Sequence, residues 1–265
     1  MGRITYNGDI SDPNRNEFPN EIKDVLLKAI FYYRKTLTIV SNKDRAAEGR
    51  TFGNLGNTYY LLGDFDSAIE CHSERLRIAK EYGDRAAERR AYSNLGNCHI
   101  FLGKFIEASD FYLKAMNIAR MLGDKAIEAQ SYFSLGNVYT LLQDYSIAID
   151  FHLRHLQIAI MLEDKIGESR AYWSLGNAYA ALGDLENAIM YANRHLSLAR
   201  LIGDSTSELT AKMNLYDFQN ILNSYGLKDN ESNLFTPSSR IHDPRFDRVI
   251  IFFVLFKYLI IIKLI

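Results

Sequence analysis

The chain has 265 residues, a formal net charge of −1, 48% hydrophobic residues and 24% charged ones. A balance this close to neutral excludes a broad nucleic-acid footprint, which needs clustered surplus Lys and Arg. The apolar content is that of a folded chain over most of its length. Two cysteines, Cys71 and Cys98, stand outside any CxxC pair, so no zinc site or disulfide framework is encoded and a reducing compartment fits.

Residues 1–20 are polar, contain Pro13 and Pro19, carry no secretory signal, and read as a disordered lead-in. Over 21–43 apolar residues fall at helical spacing: Ile22, Val25, Leu26, Ala29, Ile30, Tyr33 and Leu37. This helix has no partner before it and reads as half of an incomplete repeat. Four units of forty residues follow, at 44–83, 84–123, 124–163 and 164–203. Each carries Leu-Gly-Asn at the same register: Leu55-Gly56-Asn57, Leu95-Gly96-Asn97, Leu135-Gly136-Asn137 and Leu175-Gly176-Asn177. Each opens on an aspartate suited to an N-cap, Asp44, Asp84, Asp124 or Asp164. Glu48, Glu88, Glu128 and Glu168 follow in the first turn, where negative charge suits the helix dipole. Turns at Gly63-Asp64, Gly103-Lys104, Gln143-Asp144 and Gly183-Asp184 halve the units. The pattern predicts an all-α stack of helix–turn–helix repeats. Residues 204–223 read as a terminal capping helix in which Leu215-Tyr216-Asp217 replaces the tripeptide. Residues 224–248, with Pro237 and Pro244, read as a linker.

The last segment, 249–265, is VIIFFVLFKYLIIIKLI. It is short for a membrane span and has Lys257 near its middle. Three readings stay open: translated non-coding sequence at a mis-assigned gene end, a tail anchor, or a helix covered by a partner. A membrane partner enters only with the second.

Winding the first helix of each unit at helical pitch separates two stripes. Phe52, Leu55, Tyr59 and Leu62, with their equivalents in later units, form the packing face. The opposite stripe carries Arg50, Asn54, Asn57; Arg90, Asn94, Asn97; Gln130, Asn137; and Arg170, Asn177, with Arg89 beside it. Asparagine inside a helix costs about 0.5–0.7 kcal/mol relative to alanine, so its recurrence needs a reason. One reason is an inter-repeat hydrogen bond that registers the stack. The other is a ladder of amides that grips the backbone of an extended peptide, since an amide both donates and accepts. The neighbouring arginines then select an acidic guest. These eleven residues are the expected groove.

Leu55-Gly56, Tyr59, Ala68 and Phe52 follow the tetratricopeptide pattern, here with a period of forty rather than the usual 34 residues. The runs 85–97 (RAAERRAYSNLGN), 134–159 and 173–184 (WSLGNAYAALGD) resemble the Partner of Inscuteable/LGN family of G-protein-signalling modulators. The resemblance implies a right-handed superhelical solenoid of antiparallel helix pairs, acting as a scaffold of the cytoplasm and cell cortex. It implies partners too: acidic extended peptides of Inscuteable- or NuMA-like proteins, and GDP-bound Gα through separate GoLoco motifs. It further implies spindle orientation, asymmetric division and GDP-dissociation inhibition. No GoLoco motif is recognisable, and the chain reads as an internal piece of such a protein. No cofactor, metal or catalytic constellation is expected. His72, His152, His155 and His195 sit at repeat positions and read as packing or surface residues. The alternatives are a generic repeat adaptor of another pathway, for a motor, chaperone or membrane-tethered complex, or an anchored assembly factor using the apolar tail.

Overall fold

The structure, a computed structural model, describes residues 20–41 and 43–229, with side chains as far as Ser224. The lead-in before Asn20, the stretch 230–248 and the apolar tail 249–265 lie outside the described residues. All regular structure among the described residues is α-helical. The helices are α1 (Asn20–Val40), α2 (Arg45–Leu61), α3 (Phe65–Glu81), α4 (Arg85–Phe101), α5 (Phe105–Met121), α6 (Lys125–Leu141), α7 (Tyr145–Met161), α8 (Lys165–Ala181), α9 (Leu185–Ile202) and α10 (Ser205–Asp229).

Local chemistry sets these bounds. The side chains of Asp44, Asp84, Asp124 and Asp164 accept from the backbone N–H three residues on, capping α2, α4, α6 and α8. Asp64, Asp144 and Asp184 do the same for α3, α7 and α9, while Lys104 gives α5 no such cap. Left-handed residues end most helices. Gly63 sits at φ 80°, but Gln143 (φ 62°) and Glu163 (φ 55°) hold the same conformation with a side chain. The last helix runs on to Asp229, so 224–229 is helical rather than the start of a linker. The physical reason is that no proline occurs between Asp204 and Pro237 to stop it.

The chain divides into two compact units, Met1–Leu102 and Gly103–Ile265. In the first, α2 packs on α1 and α3, and α3 packs on α4. Its core joins Ile30, Leu55, Tyr59, Ala68, Cys71 and Cys98. In the second, each helix from α5 to α10 packs on the next. One cluster there contains Leu156, Tyr172, Leu175 and Tyr191, and another carries Leu185 and Ala188 onto Leu215 and Phe218 of α10.

In the first and third repeats the glycine of the tripeptide makes room for a buried histidine of the second helix. A Cβ on Gly56 would lie 2.7 Å from His72 Cε1, and one on Gly136 would overlap the His152 ring. The first-turn glutamates do more than face the dipole: Glu48, Glu88, Glu128 and Glu168 are buried. Each is paired within its own turn, to Arg45, Arg85 and Lys125 at 2.7 Å and to Lys165 at 2.8 Å. Tyr172 Oη also donates to Glu168 at 3.0 Å. A buried carboxylate needs such partners, because an unpaired one would be strongly penalised.

Candidate functional site

Helices α2 and α4 carry the expected site residues of the first unit. Arg50, Asn54, Asn57 and Arg90 are exposed, while Arg89, Asn94 and Asn97 are half-buried. Asn94 Nδ2 donates to Asn57 Oδ1 at 2.9 Å, joining consecutive repeats. Helices α6 and α8 carry those of the second unit. Gln130 and Arg170 are exposed, but Asn137 and Asn177 are buried, at 9% and 5% exposure. There Asn214 Nδ2 of α10 donates to Asn177 Oδ1 at 3.1 Å.

Two corrections follow. The two readings of the repeated asparagine are not exclusive, because its carbonyl is engaged by the next repeat at Asn57 and at Asn177. Nor is the ladder uniform. The residue four before each asparagine shares its helix face. That residue is Gly53 before exposed Asn57, Ser93 before half-buried Asn97, Phe133 before buried Asn137 and Trp173 before buried Asn177. The bulk of that residue rises in step with the burial of the asparagine, and Phe133 itself packs against the His152 and His155 rings. Asn177 Nδ2 and Ser174 Oγ are sealed without a hydrogen-bond partner. Asn137 and Asn177 are therefore closed to a guest in this conformation, and Asn57 is open.

With one lone pair of the Asn57 carbonyl already taken by Asn94, the N–H2 of Asn57 is the donor this rung has left to offer. A peptide carbonyl or a carboxylate is the matching acceptor. Arg50, Arg90 and Arg170 make no ion pair among the described residues and leave their guanidinium forks available. The cationic character lies in the side chains and not in a net charge of the chain.

Two residues of this region were not expected from the sequence. Asn214 keeps the register of Asn54 and Asn94 at the forty-residue period, although the tripeptide after it is lost. Arg75 of α3 reaches Gly53 of α2, where it occupies the space a Cβ would need.

The remaining chemistry is structural. His72, His152 and His195 are buried, each with an Nδ1 that has no partner. Burial pushes their pKa values down, to about 4, about 3 and about 4. His155 lies between the carbonyls of Ala129 (3.0 Å) and Gly167 (3.2 Å). Cys71 and Cys98 are free and buried, and burial raises their thiols to about 11 and about 12, so neither is a ready nucleophile. Among the described residues no group of three or more His, Cys, Asp and Glu is placed to hold a metal ion, and no helix is long and apolar enough to cross a membrane.

Residues 51–86 match one tetratricopeptide repeat pattern, and residues 87–161 and 136–201 match another with the same description. Together they run over more than half of the chain. It belongs to the tetratricopeptide-repeat family. Within that family it is 50% identical over 67 residues to human G-protein-signaling modulator 1, a match covering 25% of this chain and 10% of that protein. The aligned segment thus spans about a tenth of that curated relative. Among solved structures, BtubC (BKLC) from P. vanneervenii superposes with a TM-score of 0.65 at 17% identity, over 88% of this chain and 91% of that one. The apo form of RapI gives a TM-score of 0.66 at 19% identity, over 72% and 53%. At those identities the two structures speak to the fold, and both agree with an all-α repeat array.

Proposed function

We propose that this tetratricopeptide-repeat chain is a non-enzymatic scaffold that binds extended acidic peptides on the exposed face of its first-position helices. The observation that carries the reading is Asn57, exposed, with its carbonyl accepting from Asn94 of the next repeat, on helices that also carry the exposed Arg50 and Arg90. Guanidinium and amide donors on one face favour a guest rich in carbonyls and carboxylates. Asn54, Arg89, Asn94 and Asn97 complete this face in the first unit; in the second, Gln130 and Arg170 lie exposed on the corresponding helices. Asn137 and Asn177 join it only if their neighbours move.

Identity to human G-protein-signaling modulator 1 supports a finer reading. In it the chain is a scaffold of the cytoplasm and cell cortex that resembles Partner of Inscuteable/LGN. It links Inscuteable- or NuMA-like partners to spindle factors in spindle orientation and asymmetric division. Gα-GDP binding and a GDP-dissociation-inhibitor role rest on family likeness alone, and no GoLoco motif is recognisable in the sequence. A generic repeat adaptor for a motor, chaperone or membrane-tethered complex is the alternative.

Binding of a labelled acidic Inscuteable-like peptide to the full chain tests the proposal. Asn57→Ala with Arg90→Ala weakens it about tenfold or more, the scale of charge-assisted hydrogen bonds. Unchanged binding by the double variant would refute the assignment of this face.

A further inference from the structure

Arg75 has no partner where one is expected. It sits on α3, is half-buried, and lays its guanidinium against the backbone of Gly53 on α2. It makes no hydrogen bond and no ion pair among the described residues. A guanidinium removed from water without a counter-ion is costly, so folded proteins normally pair it. Its surroundings increase that cost. Burial lowers its pKa, and the nearby charges of Arg90 and Arg89 on α4 add to that, while Asp84 opposes it.

The other repeats show that the arrangement is particular to this place. The positions equivalent to Arg75 are Ala115, His155 and His195, and those equivalent to Gly53 are Ser93, Phe133 and Trp173. Only at Gly53 is the side chain absent, which frees the space the guanidinium fills. One turn on, Asn57 is exposed, and its N–H2 takes no part in the Asn94 bond.

We infer that Gly53, Asn57, Arg75, Arg89 and Arg90 form a carboxylate-binding pocket, floored by Arg75, that receives an acidic side chain of an extended peptide. This deepens the peptide-binding reading above and rests on it for the identity of the guest, though not for the anion site itself. Arg75 offers a planar fork that a carboxylate can meet with two parallel hydrogen bonds. Asn57 adds a neutral donor, and Arg90 and Arg89 add long-range attraction. The guest supplies the counter-ion the folded chain lacks, so the pocket trades stability of the free chain for recognition.

The test uses the full chain and Arg75→Met, which keeps an apolar stem, with Arg75→His as a second variant because His stands at the equivalent position in two other repeats. Thermal melting is measured in sodium glutarate, inorganic phosphate and sodium chloride at equal ionic strength. Affinity is measured for a labelled peptide of alternating Glu and Ala and for its Gln-Ala counterpart. The wild type should melt higher in glutarate than in chloride, and both variants should lose that difference. Arg75→Met should melt no lower than wild type in chloride, since it removes an unpaired charge. Its Glu-Ala affinity should fall about tenfold or more, with the Gln-Ala peptide unchanged. Any of three results overturns the pocket: no glutarate-specific stabilisation of the wild type, a lower melting point of Arg75→Met in chloride, or stronger stabilisation by phosphate than by glutarate. If glutarate acts through Arg75 but the Glu-Ala peptide does not bind, the pocket stands and the peptide reading fails. If the peptide binds and Arg90→Ala weakens it while Arg75→Met does not, the pocket fails and the peptide reading stands.

Discussion

Mild acid should unfold this chain through its buried histidines. His72, His152 and His195 are held neutral, with pKa values pushed by burial to about 4, about 3 and about 4. Like charges assist: Arg75 acts on His72 and His155 on His152, whereas Asp204 opposes at His195. Each folded-state value lies below the unfolded value of roughly 6.5. Between the two, the unfolded chain binds more protons, so stability rises with pH. The contribution is complete above about pH 6.5 and is lost as pH falls toward about 4. Near pH 5 the loss is about 2 kcal/mol per histidine relative to pH 8, from the ratio of the two titration terms. That amounts to about 2 kcal/mol in the first unit, which holds His72, and about 4 kcal/mol in the second, which holds His152 and His195. Against a typical domain stability of roughly 5–15 kcal/mol, this is a large fraction. Urea unfolding followed by far-ultraviolet circular dichroism, repeated across that pH range, reads the loss directly. His152→Tyr places at position 152 the residue that stands at the equivalent position 112, and should remove about 2 kcal/mol of the second unit's acid sensitivity, leaving that of His195 and of His155, whose pKa burial also lowers. A midpoint that does not move between neutral pH and pH 5, or a His152→Tyr chain as acid-sensitive as wild type, would refute the reasoning.

Other substitutions follow from the same geometry. Gly136→Ala drives a methyl into the buried His152 ring and should cost about 1–3 kcal/mol, whereas Gly176→Ala meets nothing closer than Ala188 O at 3.4 Å and should be near neutral. Urea midpoints of the two variants compare these outcomes. Asn214→Ala leaves the carbonyl of Asn177 buried and unpaired, and should lower stability by about 1–3 kcal/mol by the same measurement. Glu163→Gly relieves an exposed left-handed residue (φ 55°), so its melting temperature should rise, by the equivalent of about 1 kcal/mol.

The forty-residue period made the helices and their register legible, because each unit repeats the same cap, tripeptide and turn. The two roles of the tripeptide's Leu and Gly were legible for the same reason: Leu55, Leu95, Leu135 and Leu175 are all buried. The third role was not, since the asparagines at one repeat position run from exposed Asn57 to buried Asn137 and Asn177. The residues one turn before them, Gly53, Ser93, Phe133 and Trp173, grow in size in the same order. The sequence held that signal, but only a three-dimensional helix face turns it into burial. Asn214 was hidden because Leu215-Tyr216-Asp217 breaks the tripeptide while leaving the position before it intact. Arg75 was hidden because its partner is an absence, the missing side chain of Gly53 on another helix. Likewise the first-turn glutamates were legible as dipole partners but not as buried groups, because that depends on the bases paired with them and on the tyrosine hydroxyls of Tyr132 and Tyr172.

The central claim is that an acidic extended peptide binds the exposed donors around Asn57. Side-chain amide resonances of the isotope-labelled chain, followed during titration with the alternating Glu-Ala peptide, test it most directly. The account predicts that the Asn57 N–H2 signals shift early and saturably, with the Arg50 and Arg90 side chains, while the sealed Asn177 signals stay fixed. Saturable shifts confined to Asn177 or to the second helices of the repeats, with Asn57 unmoved, would contradict it.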